Sequence, residues 1–253
     1  MGYMMIRVIV SHPVANVAPK TYSAIQQVHR SAIQLQADSR PVTSNQSGVH
    51  PDLAKIVEKH RRTVWRKPPA EHNLQAFSRL RDWLGDDDTP LILDSFCGTG
   101  MSTRTLAEAF PTHRVIGIDR SAHRLERHNP SEQAQTYLLL QAECEPIWQL
   151  MASAELRIAR HYLLYPNPWP KSQHLKRRIH GHPGLLALYR LGGSVELRSN
   201  WQLYAEEFGL ALHLLGCRGS VGQIRIHKPQ TLFEEKYASS GHPIWQFRGN
   251  LLP

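Results

Sequence analysis

From Ala70 onward the chain alternates short apolar runs with segments of helical periodicity, and no other feature restricts its fold as strongly. Asn73 to Leu84 carries Leu74, Phe77, Leu80 and Leu84 at helical spacing and closes in the turn Gly85-Asp86-Asp87-Asp88-Thr89-Pro90. Leu91-Ile92-Leu93 then predicts a strand, Met101 to Phe110 a helix, Val115 to Ile118 a strand and Ala122 to His128 a helix. The series continues through Tyr137 to Leu140, a helix around Ile147 to Met151, a strand at Tyr162 to Tyr165, a helix at Gly184 to Tyr189 and a strand at Gly193 to Leu197. A chain that leaves each strand through a helix re-enters the sheet in the same direction. The succession therefore predicts an α/β fold with a doubly wound, mostly parallel sheet, and no internal repeat is visible.

Ahead of this region the pattern is thin. Residues 1–50 predict an N-terminal extension, partly flexible, since Ser39 to Gly48 has no periodicity at all. Residues 51–85 predict a basic helical segment, with Leu53, Ile56 and Val57 at helical spacing before Arg61-Arg62-Thr63-Val64-Trp65-Arg66-Lys67 and the stop at Pro68-Pro69. This cationic helix with its trailing tryptophan reads either as a contact for phosphates and a base or as a solvated face with one buried aromatic. Residues 86–253 form the α/β domain.

The totals narrow the partner. A chain of 253 residues with 41% hydrophobic content can bury a real core. Its formal charge of +9 favours an anionic partner, nucleic acid foremost, although a generally basic surface gives the same sum. Cys97, Cys144 and Cys217 form neither a CxxC pair nor a dense framework, which argues against disulfides and zinc and for a reducing cytoplasm. The apolar start, Met1 to Val10, is too short to span a bilayer, and Ser11-His12-Pro13 interrupts it without a cleavage pattern, so no membrane association is expected.

Asp94-Ser95-Phe96-Cys97-Gly98-Thr99-Gly100 follows the first strand directly and opens the helix at Met101. Glycines at such a junction let the backbone approach a ligand, and the helix N-terminus offers unpaired N–H groups, so a nucleotide or nucleoside is expected here. A dinucleotide fingerprint shares the paired glycines, but its third glycine position is Thr103, and Asp94 would repel a pyrophosphate. An acid at this corner suits a ligand with an amino group and net positive charge, such as S-adenosylmethionine. Asp119, ending the second strand, can accept both ribose hydroxyls, and Ala142-Glu143 after the third can bracket an adenine. Each acid alone also reads as a helix N-cap (Asp94, Glu143) or a loop charge; together with Gly98 and Gly100 they make a candidate cofactor set. Cys97 reads as a small apolar filler, with no histidine close in sequence to activate it.

The fourth strand delivers Pro166-Asn167-Pro168-Trp169-Pro170-Lys171 to the same sheet edge. Three prolines fix φ and remove donors, so Asn167 and Trp169 are held at low entropic cost beside the cofactor, where a methyl acceptor belongs. Gln173-His174-Leu175-Lys176-Arg177-Arg178 then supplies positive charge for a phosphate backbone.

Tyr165-Pro166-Asn167-Pro168-Trp169-Pro170-Lys171-Ser172-Gln173-His174-Leu175-Lys176-Arg177-Arg178 resembles, almost residue for residue, the Phe-Pro-Asp-Pro-Trp-Pro-Lys-x-x-His-x-Lys-Arg-Arg pattern of the bacterial tRNA (guanine-N7)-methyltransferase family. Ser199-Asn200-Trp201-Gln202-Leu203-Tyr204-Ala205 is similar to that family's Thr-Asp-Trp-x-x-Tyr-Ala, and Thr231-Leu232-Phe233-Glu234 and Gly241-His242-Pro243-Ile244-Trp245 resemble its later motifs. The likeness runs from about Leu91 to Phe247. It implies a sheet of the class I (Rossmann-like) methyltransferase type and an enzyme that uses S-adenosylmethionine on tRNA or another structured RNA. By position it implies cofactor contacts at Asp94, Asp119, Glu143 and Asn167, substrate contacts at Lys171, Asn200, Thr231, Leu232, Phe233 and Glu234, and RNA contacts at Gln173, His174, Leu175, Lys176, Arg177 and Arg178. Asn167 takes the catalytic position.

Two departures qualify the likeness: the family's aspartates at the catalytic and second substrate positions are Asn167 and Asn200 here. Guanine N7 has a lone pair and no proton, so its methylation needs alignment rather than an obligatory base. The product is cationic, however, and a carboxylate would stabilise it better than an amide. An acid at 200 could accept from both N1–H and the exocyclic amine of guanine, whereas an amide has one accepting and one donating end. A different acceptor base, or a catalytically weak RNA-binding paralogue, therefore stands beside the guanine-N7 enzyme as a reading. Trp169, Trp201 and Trp245 read as core aromatics before base-stacking platforms, and the histidines show no metal-ligand spacing.

Overall fold

A computed structural model describes residues 39–130 and 134–251; the expected extension therefore lies outside the described residues up to position 38. Among the described residues two helices come first, α1 (Leu53–Arg62) and α2 (Glu71–Leu84). They are followed by β1 (Leu91–Ser95), α3 (Met101–Ala109), β2 (Arg114–Asp119), the single turn α4 (Ala122–Leu125), β3 (Tyr137–Gln141) and α5 (Cys144–Ser153). After β4 (Arg160–Leu164) come short 3-10 turns, α6 (Leu185–Arg190), β5 (Gly193–Ser199), α7 (Gln202–Leu214), β6 (Arg218–Ile224), α8 (Leu232–Ser239) and β7 (Ile244–Leu251).

The strands form one sheet in the order β3-β2-β1-β4-β5-β7-β6. All pairings among β1 to β5 are parallel, as the alternation predicts, with Leu93 opposite Ile116 on one side and His161 on the other. The order reverses beside β1, which opens the crevice where doubly wound sheets bind ligands. β7 runs antiparallel to both β5 and β6, a pair absent from the sequence reading. β6 is exposed along nearly its whole length and carries two glycines, so it has no alternating apolar face to be recognised by.

One face of the sheet is covered by a large core in which Leu53, Val57, Leu80, Leu84, Trp148, Tyr204 and Phe208 meet the strands. Helices α1 and α2 thus share the core of the α/β domain. At roughly 1.5–3 kcal/mol for each fully buried large apolar side chain, this face supplies most of the fold's hydrophobic stabilisation. A smaller cluster of Ile92, Leu106, Val115, Tyr137, Tyr162 and Leu164 lies under α3 on the other face. Gly117 sets how close α3 sits: a Cβ there would stand 2.3 Å from Thr103 Oγ1 and 2.6 Å from Leu139. That approach brings the start of α3 down onto the end of β1.

The helix expected from Ala122 to His128 is one turn only. Ser121 caps it by accepting from Arg124 N–H at 3.3 Å, but Leu125 is its one large apolar residue and gives no stripe to bury. His128 instead meets the Thr99 carbonyl at 2.9 Å and the Tyr137 hydroxyl at 2.7 Å. No helix among the described residues is long and apolar enough to cross a membrane.

Candidate active site at the carboxyl ends of the strands

The turn after β1 is built around a buried acid. Asp94 is fully buried; its Oδ2 accepts from the hydroxyls of Ser102 at 2.6 Å and Thr103 at 2.7 Å, while Oδ1 has no partner. Burial pushes its carboxyl up to about 6, the two hydroxyls restraining the rise and the nearby Asp119 adding to it. Phe96, Gly98 and Gly100 all have positive φ, at 64°, 62° and 74°. The space a Cβ would fill at Gly98 is open, whereas at Gly100 it would come within 2.8 Å of His128 and Leu139. Cys97 is buried, and its thiol is raised well above its ordinary value by burial and by Asp94 and Asp119. It is inert filler, as its sequence context implies.

Asp119 closes the next corner. Its Oδ2 accepts from Gly98 N–H at 3.0 Å, and its Oδ1 from Ser121 N–H at 2.8 Å and from Arg124 at 3.0 Å. A carboxylate offers about four acceptor positions, so one remains open and a second opens if the partly exposed Arg124 withdraws. Glu143 is positioned from α2: its backbone N–H donates to Asn73 Oδ1 at 3.1 Å and its carboxylate meets His72 Nε2 at 2.5 Å. Burial alone would raise this carboxyl, but His72 and Asn73 hold it below its usual value.

The corner after β4 is strained at both ends. Tyr165 and Trp169 have φ of 57° and 44°, a region costing about 1–3 kcal/mol per non-glycine residue, and they bracket Pro166-Asn167-Pro168. Tyr165 donates its hydroxyl to Glu234 Oε1 at 2.8 Å. Trp169 N–H donates to Asn167 Oδ1 at 3.4 Å. Arg178 pins the far side: Nε donates to the Trp169 carbonyl at 3.2 Å and Nη2 to the Lys171 carbonyl at 3.3 Å. Residues 44–46 strap the same corner, with Ser44 Oγ donating to the Pro170 carbonyl at 2.6 Å and Ser172 N–H to Asn45 Oδ1 at 2.9 Å. Here the segment without periodicity has tertiary partners that periodicity cannot reveal.

A pocket of about 420 Å³ lies between these corners. Asp119, Glu143, Asn167, Asn200 and Phe233, all marked in the sequence, line it. So does Arg177 of the basic run. The sequence reading gave no pocket role to Phe96, Tyr165, Tyr204 and Tyr237 on its wall, because an aromatic side chain gives the same signal whether it faces core or ligand. Asp94, Gly98, Gly100, Lys171, Thr231, Leu232 and Glu234 do not line it. Thr231 caps α8, accepting from Glu234 N–H at 2.9 Å, and buried Glu234 also takes Arg198 at 2.7 Å and Gln230 N–H at 2.7 Å. That stretch holds Tyr165 and presents Phe233, whose neighbour Leu232 points to solvent. A larger hollow of about 650 Å³ lies on the open sheet face at the amino ends of β4 and β5, among Phe110, Arg160, Arg218 and Arg248, and holds none of the sequence-marked residues.

The basic run divides. Gln173, Lys176 and Arg177 are exposed, and His174 is half-buried with its ring edge-on to Trp169 at 5.5 Å. Arg177 lies over the Trp169 ring at 4.8 Å. Leu175 and Arg178 are corrected as RNA contacts: both are buried. In the tight 3-10 turn Ser172–Arg177, Leu175 points into the core. Arg178 turns in to Glu207 and stacks over Trp201 at 4.8 Å. No group of His, Cys, Asp and Glu side chains among the described residues could hold a metal ion.

Comparison with known proteins follows the same outline. A family model described as "Putative methyltransferase" matches residues 88–247. The tRNA (guanine-N(7)-)-methyltransferase of Nocardia farcinica is 30% identical over 190 residues, 65% of this chain and 68% of that protein. That of Zymomonas mobilis is 29% identical over 178 residues, 64% of this chain and 75% of its own. The Acinetobacter baylyi protein of the same description is 24% identical over 238 residues, covering 87% of each. Among solved structures, an antibiotic-related methyltransferase superposes with a TM-score of 0.50 at 17% identity, covering 76% of this chain and 97% of that one, a likeness of fold.

Proposed function

Since the chain belongs to the methyltransferase family matched over residues 88–247, and is a divergent member of the tRNA (guanine-N7)-methyltransferases, we propose that it transfers a methyl group to guanine N7 in tRNA. The observation that carries this reading is convergence. Asp119, Glu143, Asn167 and Asn200, from the ends of four different strands, face one pocket beside a positively charged turn.

The residues fit S-adenosylmethionine. Open space at Gly98 lets the backbone approach a ligand, and the unpartnered Asp94 Oδ1 is a buried acceptor matched to an ammonium group. Asp119 would take the ribose and Glu143 would stand at the adenine. When bound, this cofactor supplies a methyl group on a cationic sulfur. The chain's own part is to align the acceptor. Guanine N7 receives the methyl group on its lone pair, no proton leaves, and the purine becomes a cation. The Pro166 to Trp169 corner holds Asn167 where that charge develops, and Lys176 and Arg177 attract the phosphate backbone.

A catalytically weak RNA-binding paralogue is favoured by one observation, the amides at 167 and 200 in place of the family's acids. Nucleoside mass spectrometry of tRNA incubated with the protein and S-adenosylmethionine decides between the two. 7-Methylguanosine is expected; tRNA that binds but stays unmethylated would establish the paralogue, and methylation of another base would overturn the acceptor.

A further inference from the structure

Two amide side chains in the pocket have their donating and accepting ends fixed by neighbours. His242 Nε2 lies 2.7 Å from the Ser39 carbonyl oxygen, which can only accept, so Nε2 carries the ring hydrogen. With the hydrogen on Nε2, Nδ1 presents its lone pair 3.4 Å from the Asn200 amide nitrogen. The amide nitrogen donates to it, and Asn200 Oδ1 is left as the free end, an acceptor. The ring is held by stacking on Tyr237, with centroids 5.5 Å apart and planes 21° apart, and Tyr237 stacks in turn on Phe233 at 6.1 Å and 23°. At the other amide the polarity is opposite. Asn167 Oδ1 accepts from Trp169 N–H, which leaves Nδ2 as the free end, a donor.

Both residues line the same pocket. Guanine carries the acceptor O6 next to N7, and beyond it the donors N1–H and the 2-amino group. Adenine has the reverse, an amino donor next to N7 and a bare N1. We propose that Asn167 and Asn200 form an opposed donor and acceptor pair that selects guanine, with His242 the positioning residue that keeps the Asn200 carbonyl toward the base. The proposal rests on the guanine-N7 reading and adds to it how a site without the family's two acids still tells guanine from adenine. It also explains why an amide suits position 200: a carboxylate there would face the Nδ1 lone pair.

The test uses full-length protein and tRNA transcripts in which the methylated guanosine, located by mass, is replaced by inosine, which lacks the 2-amino group, or by 6-thioguanosine, which keeps N1–H and the 2-amino group but has a weakly accepting sulfur in place of O6. Wild type should lose about tenfold in kcat/KM on each, the scale of one hydrogen bond. His242→Phe, which keeps a ring to stack on Tyr237, should abolish the penalty for inosine and leave that for 6-thioguanosine. Asn167→Ala should do the opposite. His242→Asn, with an acceptor oxygen near the place of Nδ1, should restore part of the inosine penalty. A merely structural role for His242 would lower all three substrates together, and that result would overturn the assignment. Calorimetry with 7-methylguanosine and 7-methylinosine gives an arm independent of turnover: wild type should prefer the first and His242→Phe should not. Equal binding by wild type overturns the amide pair even if guanine is methylated, whereas methylation of a different base overturns the function itself.

Discussion

Arg178 Nη1 and Glu207 Oε2 meet at 2.5 Å with neither side chain exposed. Glu207 also accepts from His180 at 2.9 Å, from Gln46 at 2.5 Å and from His50 N–H at 2.8 Å, so one carboxylate ties the 39–50 segment and the basic turn to α7. Arg178 extends that tie to the Trp169 and Lys171 carbonyls. Its role is to hold the corner that presents Asn167.

Arg178 should therefore separate from its neighbours in experiment. Arg178→Ala leaves Glu207 buried without its full-charge partner and is expected to cost about 3–5 kcal/mol of stability in urea unfolding. Lys176→Ala and Arg177→Ala should change stability by no more than about 0.5 kcal/mol. They should instead weaken tRNA binding and flatten its log–log salt dependence by about 0.7–0.9 for each lost phosphate contact. A salt slope that both surface variants leave unchanged would make the turn a solvated face.

The difference between these neighbours marks what sequence can and cannot disclose. Strands β1 to β5 and helices α3, α5 and α6 were legible because periodicity reports burial element by element, whereas the single turn α4 was read as a longer helix. Asp119, Glu143 and Asn167 were legible as well, each following an apolar run where the sheet's carboxyl edge must lie. Arg178 was not, because three consecutive cations look alike until a 3-10 turn sends one inward. The available sign was in α7, where Glu207 sits among Tyr204, Ala205, Phe208 and Ala211 with no polar stripe to explain it. His72 and Asn73, which hold Glu143 from 70 or more positions away, leave no local sign at all.

Acid should unfold the protein through Glu207. Burial alone would raise this carboxyl, but His180, His50 N–H and Arg178 together hold it at about 2, against an ordinary 4.5. A depressed folded-state value means the contribution is fully present above about pH 4.5 and is lost as the pH falls toward 2. Urea midpoints should drop steadily through that window. Glu207→Gln, less stable at neutral pH, should show a flatter acid limb; an unchanged limb would assign the acid sensitivity elsewhere.

Asp94 has the opposite sign. Its folded value of about 6 lies above the ordinary 3.8, so its contribution to stability is present below that ordinary value and lost as the pH rises through 6. Asp94→Asn should accordingly stabilise the ligand-free protein at pH 7. An ammonium group at Oδ1 would favour the ionised form, so S-adenosylmethionine affinity should rise by up to about tenfold per pH unit below 6 and level off above it. Calorimetric titrations between pH 5 and 8 would show this, and Asp94→Asn should remove the dependence. A flat profile in wild type would mean that the ammonium does not reach this acid.

The two asparagines yield the sharpest test of the catalytic reading. In Asn167→Asp one carboxylate oxygen can keep the bond from Trp169 N–H while the other faces the pocket, where the purine cation develops. That variant should raise kcat, with about 2.7–4 kcal/mol of transition-state stabilisation as the ceiling, and should raise KM because O6 loses its donor. Asn200→Asp alone places a carboxylate against the Nδ1 lone pair of His242, 3.4 Å away in the wild type, and should lower kcat/KM. The double variant restores both acids of the family pattern but adds the repulsion at position 200, so its kcat/KM on tRNA should fall below that of Asn167→Asp alone. Single-turnover assays on bulk tRNA, with the product nucleoside identified by mass, measure each step. Loss of 7-methylguanosine formation in the double variant would mean that the amides are adapted to a pose the acids cannot serve, and methylation by neither form would leave RNA binding as the chain's activity.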